Sequence, residues 1–300
     1  MELETASPRM RAVLDELDRA ATHDVPVLLT GENGTGKSLL ARRLHGRSAR
    51  RDRPFIVVNC PTLSSELLAS ELFGHARGSF TGAVRDREGR AEAAEGGTLF
   101  LDEIAEIPPP VQAKLLRFVQ DKQFERVGET RTRTADLRIV AATNRDLEEE
   151  VRAGRFREDL LYRLNTFEST LPPLRDRKED IVPLARRFAS TIDLSPEAES
   201  LLVGYSWPGN LRELRNTIER AVILCAGDRI GPSLLPARIV GRAPGAPFVG
   251  GDFTVEAVER EHILRVMAHA PSLESAAAIL GIDTSTLWRK RRRYEDTIKA

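Results

Sequence analysis

Residues Gly31–Ser38, GENGTGKS, constrain this chain more than any other stretch. They satisfy G-x-x-x-x-G-K-[ST], follow the apolar run VPVLLT directly, and lead into LLARRLHG, which has helical spacing. Gly31, Gly34 and Gly36 let the loop curl, so that backbone N–H groups of Glu32, Asn33 and Thr35 can turn toward phosphate oxygens. The following helix N-terminus adds partial positive charge, Lys37 reaches the terminal phosphates, and Ser38 can ligate Mg²⁺. A chance glycine-rich turn would lack the strand before and the helix after.

The first two-thirds of the chain alternate short apolar runs with amphipathic stretches, the habit of a parallel sheet covered by helices. Buried strands are expected at Val25–Thr30, Phe55–Asn59, Thr98–Leu101, Arg138–Ala142 and about Phe167–Leu171. Val111–Gln120 reads as a helix, with Leu115, Leu116 and Val119 at helical spacing. GGTLFLDE delivers Asp102 and Glu103 at the C-terminal end of its strand, where ligands sit in open α/β sheets. Asp102 is expected to hold Mg²⁺, partly through water, and Glu103 to orient and deprotonate an attacking water. The reaction expected is ATP hydrolysis.

After Pro172 and Pro173 the pattern turns helical, over Glu179–Thr191, Pro196–Tyr205 and Asn210–Cys225. Gly241–Asp252 is rich in Gly and Pro and reads as a linker. Thr254–Ala270, Leu273–Leu280 and Thr284–Tyr294 then form a three-helix unit, the last two in helix-turn-helix proportions. The domains expected are an α/β part over residues 1–173, a helical lid over 174–240, a linker over 241–252 and a small all-α domain over 253–300. Lys plus Arg equals Asp plus Glu at 45 each, yet Asp283–Ala300 holds six basic residues against three acidic ones, a local anion-binding surface. Leu287 and Tyr294 should face a small core with Leu280 and Ile282, and Trp288 should pack on the preceding helix. Ser285, Thr286, Arg289, Lys290, Arg292 and Arg293 are left for bases and phosphates. Two cysteines without metal spacing, no membrane-length apolar run and no signal-peptide pattern suggest a cytoplasmic protein without disulfides.

Several motifs in order resemble the NtrC-type sigma-54 activators, the bacterial enhancer-binding proteins. They are ELFGH at Glu71–His75, GSFTGA at Gly78–Ala83, GGTLFLDE, AATNRD at Ala141–Asp146, FREDLLYRL at Phe156–Leu164 and WPGNLREL at Trp207–Leu214. The end, LESAAAILGIDTSTLWRKRRRY, resembles a Fis-type helix-turn-helix that binds double-stranded DNA at upstream sites, dimerising through Thr254–Ala270. The resemblance implies an AAA+ P-loop ATPase with a helical lid that works on sigma-54 RNA polymerase as a ring, taken as a hexamer. Within it, Asn59 matches the residue that grips the catalytic glutamate, Thr143 and Asn144 the first sensor, and Arg212 the second. Arg157 and Arg163 match arginine fingers reaching a neighbour's site. Six residues apart on one helix, they would point about 120° from each other and do different jobs. Gly78, Ser79, Phe80, Thr81, Gly82 and Ala83 match the loop that touches sigma-54, with Phe80 and Thr81 as its contact. On the residues alone, a surface loop around an inward-packed aromatic competes with that reading.

The chain departs from the family pattern at three places: Ser79 where alanine is commoner, Asn33 where serine is common, and Ser38 in place of glutamate. Many relatives also carry an N-terminal receiver or sensing domain. Here the phosphate loop begins at Gly31, which leaves no room for that domain in this sequence; either a separate partner controls the protein or the sequence is a piece of a longer one. ERVGETRTR and the C-terminal helix look like the receiver-bearing two-component regulators of the alginate type. Two other readings stay open, an AAA+ DNA-binding regulator that no longer engages sigma-54 and an ATP-driven remodelling chaperone. The intact GSFTGA weighs against the first, the basic helix-turn-helix against the second.

Overall fold

In the computed structural model, residues 5–62, 64–240, 253–270 and 272–296 are described; the expected linker at 241–252 lies outside them. The chain forms two compact units, Met1–Leu235 and Pro236–Ala300.

In the first unit α1 (Pro8–Ala21) precedes β1 (Val27–Thr30), α2 (Lys37–Gly46), β2 (Phe55–Asn59), α3 (Ser65–Phe73) and α4 (Arg90–Ala93). Then come β3 (Thr98–Asp102), α5 (Pro109–Asp121), β4 (Gln123–Phe124), β5 (Arg133–Thr134), β6 (Arg138–Thr143), α6 (Leu147–Arg152), α7 (Glu158–Leu164) and β7 (Phe167–Thr170). Strands β2-β3-β6-β1-β7 form one five-stranded sheet, parallel throughout. Its central strands are apolar on both faces because helices cover both. Leu28, Leu99, Leu101, Ile139 and Ala141 join the core under α3, α5 and α7. Their alternates Val27, Leu29, Phe100, Val140 and Ala142 join the core under α1 and α2.

Strand positions agree with the sequence to within two residues. β1 starts at Val27 because Pro26 has no N–H to give a ladder. Helix α1 was not anticipated, although Met10, Val13, Leu14 and Leu17 stand at helical spacing and pack into the core. The two-residue strands of the β4-β5 pair were too short to read.

The remainder of the unit is α8 (Ile181–Ala189), β8 (Asp193–Leu194), α9 (Pro196–Gly204), α10 (Asn210–Leu224) and β9 (Arg229–Ile230). The helix expected over Glu179–Thr191 is shorter, since a 3-10 turn occupies Lys178–Asp180. Pro183 lacks the N–H that would bond to Glu179, so it is tolerated only in a first turn.

These helices hold the phosphate loop by side chains. Asn210 is wholly buried, with a left-handed backbone at φ 50°. Its Nδ2 donates to Glu32 Oε2 at 3.1 Å and Asn33 O at 3.0 Å, while its Oδ1 accepts from Leu174 N at 2.7 Å. Arg175 makes a two-pronged pair with the Glu32 carboxylate at 2.6 and 2.9 Å, and buried Arg177 donates to Thr35 O at 2.8 Å.

The second unit contains α11 (Ala237–Val240), α12 (Val255–His269), α13 (Leu273–Leu280) and α14 (Thr284–Asp296). As the sequence indicates, Leu287 and Tyr294 are buried with Ile263, Ala276 and Ala277, with Leu280 and Ile282 against them. Among the described residues no helix is long and apolar enough to cross a membrane.

Replacing Asn210 strips the Leu174 N–H of its acceptor and frees the loop. Asn210→Ala is expected to cost about 1–3 kcal/mol, the penalty for an unsatisfied buried group. Asn210→Gly, which keeps the left-handed backbone unstrained, should lose a comparable amount. Urea unfolding midpoints check this, and unchanged midpoints would remove the clamp role.

Candidate functional site

The phosphate loop leaves β1 at Thr30 and turns through three left-handed glycines, Gly31 (φ 142°), Gly34 (φ 78°) and Gly36 (φ 110°). A Cβ on Gly31 would lie 2.8 Å from Leu171 O, and one on Gly34 would lie 2.4 Å from Gly209 O. Only glycine fits. Helix α2 starts at Lys37, so the unpaired N–H groups of its first turn open at the loop. Lys37 is 6% exposed, and its ammonium donates to Gly31 O at 2.8 Å and Glu32 O at 3.3 Å. Burial pushes its pKa down, while the Glu103 and Asp102 carboxylates pull it back up. Ser38 Oγ donates to Asp102 Oδ2 at 3.1 Å. A glycine cradle, a buried ammonium and two adjoining hard oxygen donors suit a phosphate chain with a divalent cation.

Asp102 ends β3 with Asn59 of β2 opposite it in register. Glu103 sits in the left-handed region at φ 57°, which turns the chain sharply after the strand. Its Oε2 accepts from Asn144 N at 3.3 Å, at the end of neighbouring β6. The sheet therefore gathers Asn59, Asp102, Glu103 and Asn144 along one edge, the expected one. Thr143 differs from its neighbour: it is wholly buried, and its Oγ1 accepts from Arg145 N at 3.0 Å, bracing the turn. Cys60, beside this edge, is pushed up to about 12 by burial and then by the Asp102 and Glu103 charges.

Contrary to expectation, Arg157 is not on a helix with Arg163: it is the residue before α7, with an extended backbone at φ −82°, ψ 131°. The two side chains are therefore not separated by the roughly 120° of residues six apart on one helix. Glu158 and Asp159 follow in the first turn, where acidic side chains favour a helix start. The Arg157 guanidinium pairs with Asp159 at 2.7 Å. Arg163 is exposed in the last turn. Among the described residues no hydrogen bond or ion pair joins either arginine to residues 31–38. Arg212, exposed at the start of α10, lies over the loop, its Cβ 3.2 Å from the place a Gly34 Cβ would take. Its charge also lowers the Lys37 pKa. The clamp of Asn210, Arg175 and Arg177 has no local signal in the sequence, where Glu32 reads only as a loop residue.

The GSFTGA segment forms a closed loop. His75 and Arg87 exchange backbone bonds at 3.0 and 2.9 Å, and Gly78 N donates to Ala83 O at 2.8 Å. Gly78 (φ 79°) and Gly82 (φ 104°) are left-handed, in open space. Phe80 is half-buried, its ring edge-on to His75 with centroids 5.0 Å apart, so the inward-packed reading holds for part of the ring. Thr81 is exposed.

On α14, Lys290 pairs with Glu259 at 2.8 Å, and Arg293 pairs with Glu256. Ser285, Arg289 and Arg292 are exposed and Thr286 is half-buried. Trp288 departs from expectation. It is 52% exposed and carries the Arg292 guanidinium over its ring at 5.4 Å, because its place on the helix is turned from the Leu287–Tyr294 core.

Residues 3–170 match the Sigma-54 interaction domain family, residues 175–248 the AAA+ ATPase lid domain, and residues 254–294 the bacterial regulatory proteins of the Fis family. The chain is 51% identical over 303 residues to the alginate biosynthesis transcriptional regulatory protein AlgB of Pseudomonas putida, covering 97% of this chain and 67% of that one. It is 48% identical to the transcriptional regulatory protein ZraR of Klebsiella oxytoca, covering 96% and 68%. Among solved structures it resembles NtrX of Brucella abortus in complex with ATP, with TM-score 0.77, 34% identity and coverage of 98% and 69%. A Thermotoga maritima RuvB mutant, 18% identical with TM-score 0.52, shares the fold. The chain belongs to the NtrC-type sigma-54-dependent transcription activators, as an AAA+ ATPase followed by a Fis-type helix-turn-helix.

Proposed function

We propose that this chain binds upstream double-stranded DNA and, assembled as a ring of the hexameric kind, uses ATP hydrolysis to remodel sigma-54 RNA polymerase and open promoters. The domains run 1–173 for the α/β motor, 174–240 for the lid, 241–252 for the linker and 253–300 for the DNA-binding part. The observation that carries the reading is the meeting of Lys37, Ser38, Asp102 and Glu103 at the C-terminal edge of the sheet.

Residues 31–38 cradle the phosphates, and Lys37 exchanges its bonds to the loop carbonyls for phosphate oxygens. Ser38 and Asp102 would hold Mg²⁺, which would supply positive charge against the phosphate oxygens. Glu103 takes the proton of the water that attacks the terminal phosphorus as the bond to ADP breaks. Asn59 holds Glu103 between turnovers, Asn144 reports the terminal phosphate on the turn that Thr143 braces, and Arg212 reports it to the lid. Arg157 and Arg163 serve a neighbouring subunit's site. That role is supported by the exposure of both side chains beside α7, where a second subunit could meet them. Thr81 and Phe80, on Gly78–Ala83, meet sigma-54.

Lys37→Ala should abolish ATP binding, whereas Glu103→Gln should bind ATP yet nearly stop hydrolysis, because an amide cannot take the proton. Filter binding beside phosphate release checks both, and wild-type turnover by Glu103→Gln would refute its role.

Arg157→Ala or Arg163→Ala should lower turnover by roughly 10³ or more. Mixing in Lys37→Ala subunits, which still carry both arginines, should partly restore it. Full turnover in a demonstrably monomeric sample would exclude a shared site.

Thr81→Ala should keep most ATPase activity, since the loop tip does no chemistry on ATP, yet fail to open promoters. Open-complex footprinting beside phosphate release measures this. Equal promoter opening by both proteins would defeat the sigma-54 contact and favour a regulator that no longer engages it.

A further inference from the structure

Helix α14 has two chemically different sides. At 100° per residue, Ser285, Trp288, Arg289 and Arg292 fall within an arc of roughly 100°. Leu287 and Tyr294 lie on the opposite side, buried in the core of the three-helix unit. Lys290 and Arg293 lie on the flank toward α12, paired with Glu259 and Glu256, and Tyr294 Oη donates to Glu259 Oε2 at 3.3 Å. Two of the basic side chains are thus engaged in holding α14 to α12. The outer arc carries a large exposed indole with a guanidinium stacked on it at 5.4 Å.

An exposed indole on a basic helix face has a natural apolar counterpart in DNA. The major groove presents hydrogen-bonding atoms at every base pair, and its apolar group is the C5-methyl of thymine. Stacking on the ring also limits the Arg292 guanidinium to few orientations, which reduces the entropy lost when it binds.

Resting on the helix-turn-helix reading of residues 254–294, we propose that Trp288 determines sequence specificity. Its indole packs on a thymine methyl in the major groove and presents Arg292, while Lys290 and Arg293 brace the helix. Ser285 and Arg289 complete the reading face.

The test uses the full chain. Duplexes enriched from a random pool by the wild type are titrated by fluorescence anisotropy, with each thymine replaced in turn by uracil. At one or two positions the wild type should lose roughly fourfold in affinity, the worth of one buried methyl. Trp288→Ala should bind thymine and uracil duplexes equally there and enrich a different sequence. Its salt dependence should stay as in the wild type, because no phosphate contact is removed. The chain has two tryptophans and Trp207 is wholly buried, so a blue-shifted emission in Trp288→Ala reports an intact lid, and circular dichroism reports the helices. Undiminished thymine preference in Trp288→Ala overturns the proposal. So does a loss of self-association in that variant, which would make the indole a protein contact. A wild type that binds no duplex at any salt concentration would sink the DNA-binding reading itself.

Discussion

An ammonium taken out of water costs several kcal/mol unless charges or dipoles replace its hydration. Lys37 is in that position, and much of the first unit answers to it. Gly31 and Glu32 must turn their carbonyls inward, which is why the loop needs left-handed glycines. Asp102 and Glu103 must sit near enough to oppose the desolvation, which their place at the end of central strand β3 ensures. A phosphate chain can then replace the loop carbonyls at little cost, because the charge is already desolvated and aimed. Cys60 beside this edge is kept neutral first by its burial and then by the same two carboxylates.

A loop so arranged has to be held from outside, and the helices after β7 do so. Asn210 touches Glu32, Asn33 and Leu174 at once, so the loop and the start of the lid share one side chain. Arg177 extends the link. It bonds Thr35 O and is drawn electrostatically to Asp180, whose carboxylate accepts from Thr5 Oγ1, Ala6 N and Ser7 N. The segment before α1, the lid and the phosphate loop are thus parts of one buried polar network. Such a network tolerates a change at one member poorly, since a partner left unpaired there costs more than its bond contributed. Movement of the lid must therefore be felt at the loop, in agreement with Arg212 lying over Gly34.

What the sequence made legible was local. Apolar runs located the five sheet strands, and GENGTGKS and TLFLDE fixed the chemical edge, because each motif carries its residues within a few positions. Pairings across the chain left no such trace. Glu32 meets Arg175 across 143 positions and Asn210 across 178, and nothing near Glu32 announces either. Helix α1 is written in the spacing of Met10, Val13, Leu14 and Leu17, which carries no functional motif. FREDLLYRL reads as one helical run, but the acidic pair after Arg157 marks the helix start at Glu158. Residue type alone suggests packing for Trp288, while its three-residue step from Ser285 and four-residue step to Arg292 put it on the outer side.

The charge balance bears on how the second unit can find its sites. With 45 basic and 45 acidic residues, the chain gains little long-range attraction toward a polyanion from its net charge. On α14 the neutralisation is local as well, since Glu256 and Glu259 occupy two of the basic groups. Among the described residues of α14, part of the positive charge that counterion release would draw on is thus already paired within the unit. Discrimination between sites then depends on short-range contacts. An indole with a guanidinium over its ring offers apolar and hydrogen-bonding contact from one place on the helix, through groups that act at short range.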